Sequence, residues 1–124
     1  MQANTMDDEL IQALKELYPQ YEEGAYIFVL SALNYVLQRL PEPRHISGRE
    51  LASGVRDLAL ERYGPMARTV LEHWGIRETG AVGDIVFALI ECGVLIKQDE
   101  DTRADFENVF DFDEAFEPHF PGEV

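Results

Sequence analysis

A chain of 124 residues, 46% hydrophobic and with a formal net charge of −14, has the size and apolar content of one domain that buries its own core without metals or disulfides. The lone Cys92 excludes an internal disulfide, the opening MQANTMDDEL lacks the basic and apolar stretches of a secretion signal, and no apolar run reaches the ~20 residues that cross a bilayer. A cytoplasmic protein with no membrane partner is expected, and its acidic field repels nucleic acid while favouring basic partners or plain solubility.

In chain order, Thr5-x-x-Asp8 has the form of a helix start, and Leu10, Ile11, Leu14 and Leu17 then mark one apolar face. This predicts a first helix over 5–17, stopped by Tyr18-Pro19. The second, over 21–40, contains the stretch around which the core is expected to form: AYIFVLSALNYVLQRL, Ala25 to Leu40, in which twelve of sixteen residues are apolar. Its inner polar residues Ser31, Asn34 and Gln38 fall on one narrow stripe, so the helix calls for cover on several other faces. Pro41 and Pro43 force an extended passage after it.

Ser47-Gly48-Arg49-Glu50 reads as a capping box that opens a helix over 47–63, with Leu51, Val55 and Leu58 inward and Arg49 and Arg56 sharing another side. Pro65 suits the first position of the next helix, 65–74, which turns Met66, Val70, Leu71 and Trp74 inward and ends at Gly75. Thr79 is the expected cap of a helix over 79–92, with Ile85, Val86, Leu89 and Ile90 as its stripe and Gly93 as its stop. Val94-Leu95-Ile96-Lys97 and Phe106-Glu107-Asn108-Val109-Phe110 then read as strands 94–97 and 106–110 joined by an acidic loop. Phe112 and Phe116 are expected to cap the core, and 118–124 to form a loose tail.

The expectation is therefore one domain over 1–124, mainly α with an α+β ending: about five helices followed by a C-terminal two-stranded β-hairpin. The element order is winged-helix-like, with 65–74 and 79–92 as the helix-turn-helix pair and 98–105 as the wing, an analogy of order that does not decide function. The phrases HISGRELASGVRDLALERYGPMARTVLEHWGIRETG, GDIVFALIECGVL and DFENVFDFDEAF also resemble a small family of acidic, uncharacterised bacterial proteins, over roughly residues 20–118. That resemblance implies a bacterial cytosolic protein and transfers no active site and no ligand.

The chemistry-bearing residues are scattered. His45, His73, His119 and Cys92 lack the close spacing of metal ligands, so neither metal nor cofactor is expected. Cys92, at the C-terminal end of an apolar helix, reads as a buried structural thiol. The run Asp99 to Asp105 alternates acids like a calcium loop but places Arg103 fifth, Ala104 sixth and Phe110 twelfth, which that geometry does not accept.

Charge divides unevenly along the chain. Residues 39–77 carry seven arginines against five acids, whereas 78–124 carry thirteen acids against Lys97 and Arg103. Arg44, Arg49 and Arg56 form a candidate strip for a phosphate or an acidic peptide, with pairing to the acidic C-terminal third as the competing use. DNA binding fits poorly, because 79–92 contains no Lys or Arg and the wing has one Arg against four acids. The leading expectation is a non-catalytic interaction or regulatory module whose partner is another protein. The alternatives are a winged-helix nucleic-acid binder using the three arginines, and a small enzyme or ligand-binding protein with a pocket beside His73 and Trp74.

Overall fold

The helix starts and stops follow from single residues. The computed structural model describes residues 7–116, which form α1 (Asp8–Leu17), α2 (Glu23–Gln38), α3 (Gly48–Tyr63), a 3-10 turn (Gly64–Met66), α4 (Ala67–His73), α5 (Thr79–Glu91), a second 3-10 turn (Arg103–Phe106) and the short α6 (Phe112–Ala115). Thr5 and the tail 118–124 lie outside the described residues. Asp7 caps α1, its carboxylate accepting from the Leu10 amide at 2.8 Å. At α3 the capping box is complete: the Glu50 amide donates to Ser47 Oγ at 3.1 Å and the Ser47 amide to Glu50 Oε1 at 2.8 Å.

Two inward assignments change. Pro65 sits in the 3-10 turn rather than in a continuous helix, so the phase shifts: Met66 is 55% exposed while Ala67 and Leu71 are buried. Thr79 does not cap α5, which has Glu78 at that position. The Thr79 side chain is buried, donating from Oγ1 to the Phe106 carbonyl at 2.6 Å and accepting from the Val109 amide at 3.1 Å.

The expected hairpin is not formed. Among the described residues there is no strand, so the fold is all-α rather than α+β, and the winged-helix reading falls with the wing. The cause lies in where the backbone groups of 94–97 and 106–110 are spent. Gly93 takes a left-handed φ of 82°, its amide donates to the Ile90 carbonyl at 3.0 Å, and the Val94 and Leu95 amides donate to the Leu89 carbonyl at 2.8 and 3.3 Å. These amides close the end of α5 and cannot start a ladder. On the other side Thr79 occupies the Phe106 carbonyl and the Val109 amide, and Asn108 reverses the chain with φ 52°.

The core lies between α2, α3 and α5. Gly54 of α3 faces Val36 of α2 where any Cβ would collide with the Val36 side chain, so the two backbones approach closely. Phe106 closes the C-terminal side. A Cβ on Gly48 of α3 would stand 2.8 Å from its ring, and one on Gly83 of α5 would stand 3.0 Å from its Cβ. Phe110, Phe112 and Phe116 form a second aromatic group, with Phe112 and Phe116 buried. Along α2, Ala25, Tyr26, Phe28, Val29 and Ala32 are buried, while Ile27 and Leu37 stay 46% and 40% exposed.

Candidate functional site

Leu33 and Leu37 in the second half of α2 form one wall of a mainly apolar groove of about 420 Å³. Leu33 and Leu37, one helical turn apart, face Val86 and Ile90 of α5, also one turn apart, with Leu51 of α3 and Phe106 among the other lining residues. Gly48 at the start of α3 presents no side chain, which is why the Phe106 ring reaches this far. The bend after α5 supplies Leu95 and Ile96, and Ile96 is 85% exposed. Leaving so large an aliphatic side chain in water forgoes most of the roughly 1.5–3 kcal/mol that its burial would contribute.

The polar rim is tied down by its own partners. His45 Nε2 and Asp101 Oδ1 lie 2.9 Å apart, joining the segment before α3 to the strap after α5. The other Asp101 oxygen accepts from the Gln98 amide at 2.9 Å. Arg44 donates to both Glu50 oxygens at 3.1 and 2.8 Å and to the His45 carbonyl at 3.1 Å. The Arg44 hydrogen bonds first, and the Ser47 amide after them, hold the Glu50 carboxyl down at about 2.

Two of the three arginines of the strip are engaged within the fold. Arg44 is committed to Glu50, and Arg56 lies 5.4 Å from the Phe110 ring while donating to Asp57 at 2.9 Å. Arg49 instead lines a shallow concavity of about 390 Å³ between α2 and α3, with Tyr35, Arg39 and Ser53. Pairing with the acidic C-terminal third is seen for Arg68, which holds Asp113 at 2.7 Å as well as Glu72 at 2.9 Å. Arg39, Arg44 and Arg56 find their carboxylates nearby in the middle segment instead.

Neither His73 nor Trp74 lines the groove. The Trp74 indole fills the space over Gly24 and packs against Phe28 at 5.5 Å and Tyr63 at 6.2 Å between ring centroids, while His73 is exposed. Cys92 is half-buried at the end of α5, and burial, with the neighbouring Glu91 carboxylate second, pushes its thiol up, away from the reactive thiolate. Among the described residues no group of three His, Cys, Asp or Glu side chains is placed to hold a metal ion, and no helix is long and apolar enough to cross a membrane.

One polar network escaped the sequence reading. Asp84 of α5 accepts from Tyr21 Oη at 2.7 Å and from Arg103 at 2.8 Å, and Arg103 donates also to Tyr18 Oη at 2.8 Å. Burial and then the Asp84 contact push the Tyr21 hydroxyl well above its usual range. The network fastens the α1–α2 connection and the second 3-10 turn to α5; both Asp84 oxygens are occupied within the fold, so it reads as a brace.

Comparison with family models, with curated proteins and with solved structures finds no significant match in any of the three. None of them bears on the likeness to the acidic bacterial family. The groove itself was missed because it needs Leu33, Leu37, Ile96 and Phe106 together, although the second half of Ala25–Leu40 held a signal: more apolar residues than one neighbour can cover.

Proposed function

We propose that this protein is a non-catalytic interaction module that takes an apolar segment of another protein into the groove between α2, α3 and α5. The observation that carries the reading is that Ile96, 85% exposed, and Leu37, 40% exposed, both line one mainly apolar cleft. Apolar side chains converging on one concavity are the usual core of a recognition surface, and the polar groups at its edge set orientation. Arg44 at the edge of the groove is already paired with Glu50, and Asp101 already contacts His45, which supports binding over turnover.

The test is affinity purification of the tagged full chain from its own host at low salt, with and without nuclease, beside a Leu37→Asp/Ile96→Asp variant whose helical circular dichroism matches the parent. A stoichiometric protein partner that survives nuclease and is lost from the variant is the expected result. Partners retained equally by the variant, or none with either chain, overturn the reading.

A further inference from the structure

We infer that the occupant of the groove is a basic amphipathic helix of the partner protein, an inference that rests on the interaction reading above and adds the partner's chemistry. Shape supplies the first half of the argument. Leu33 and Leu37 on one side and Val86 and Ile90 on the other are ridges one turn apart on two helices. A furrow between two such ridges accepts the i, i+4 row of a third helix, the mode in which an amphipathic segment lays its apolar face into a groove. The segment's anchors would also cover Leu37 and Ile96.

Charge supplies the second half. Arg44, the arginine that lines the groove, is neutralised by Glu50 at 2.8 Å, and the His45 ring lies 2.9 Å from Asp101. The strap that carries Ile96 then continues into Asp99 and Glu100, both exposed and, among the described residues, without a cationic side chain within ion-pairing distance. Lys97 is the single opposing charge on that strap, and it donates to the Gln98 carbonyl at 3.3 Å. The strap, whose Gln98 and Asp101 line the groove on either side of Asp99 and Glu100, is therefore net acidic on a molecule of net charge −14, which steers a cationic segment toward the cleft and repels an acidic one.

The experiment is a fluorescence-anisotropy titration of the full chain with three labelled designed helices that share one leucine row and carry Lys, Gln or Glu on the polar face. The Lys helix is expected to bind about tenfold more tightly than the Gln helix and the Glu helix more weakly still, with the advantage falling as salt rises. Leu37→Asp should weaken the Lys helix by about tenfold or more, and Asp99→Asn/Glu100→Gln should remove most of its advantage over Gln. Equal affinity for the Lys and Gln helices, both lost in Leu37→Asp, overturns the basic-partner inference while leaving the groove reading standing. Lys-helix binding that Leu37→Asp does not weaken is diffuse attraction to acidic surface and overturns the inference. Failure of all three helices to bind overturns it together with the groove reading. A parent chain that sediments as a dimer, made monomeric by Leu37→Asp, assigns the groove to a second copy and likewise overturns it.

Discussion

At the scale of one residue, Thr79 does the work that a strand pair was expected to do. Its hydroxyl satisfies a buried carbonyl and an amide from the segment after the second 3-10 turn, so the C-terminal stretch needs no ladder to desolvate its backbone. Thr79→Val keeps the shape and strands both groups, which should cost about 1–3 kcal/mol. Thr79→Ser should recover most of that. Urea unfolding of the three chains at constant m-value checks it, and a Val variant as stable as the parent would show that the two groups find other partners.

Elements in this protein are set by how they end. Gly75 and Gly93 both leave a helix with a left-handed backbone, φ 99° and 82°, and Ala at either carries roughly 1 kcal/mol of conformational cost. They differ in surroundings: a Cβ at Gly93 meets open space, whereas one at Gly75 would run into the Gln20 carbonyl oxygen and stand 3.0 Å from the Tyr21 ring. Gly75→Ala should therefore be the more damaging by about 1–3 kcal/mol, read as the difference between the two urea midpoints. The start of α3 responds to acid instead. The Glu50 carboxyl is held below its ordinary 4.5, at about 2, so its contribution is present above pH 4.5 and is lost as pH falls through that window. Glu50→Gln should lower the melting temperature at pH 7, with the gap narrowing below pH 4.5 and closing near pH 2. Because the side chain is partly exposed, solvent and salt should shrink the effect.

At the scale of the whole molecule, the order of helices was legible and their assembly was not. Ser47 and Glu50, Pro41, Gly75 and Gly93 mark ends by local chemistry that acts within a few residues, and these ends stand close to where the sequence puts them. Val94 to Lys97 carries strand-like residue types, but its fate was decided by amides already bound to Leu89, and 106–110 by a hydroxyl far away in sequence. Local preference yields to such tertiary partners. The candidate site was less legible still. Two of the three arginines that looked like a strip, Arg44 and Arg56, spend themselves on neighbours, while the groove depends on Ile96 lying outside any strand and on Leu37 staying exposed on α2.

The seat of Phe106 ties distant parts of the chain to one another. A Cβ at Gly48 would meet both its ring and the Asp105 Cβ, and one at Gly83 would meet its Cβ and ring, so a residue larger than glycine at either position fits only if the turn that carries Phe106 moves. Among descendants of this sequence the two glycines are bound to the place of this one turn, and no helical period in the chain records that they belong together.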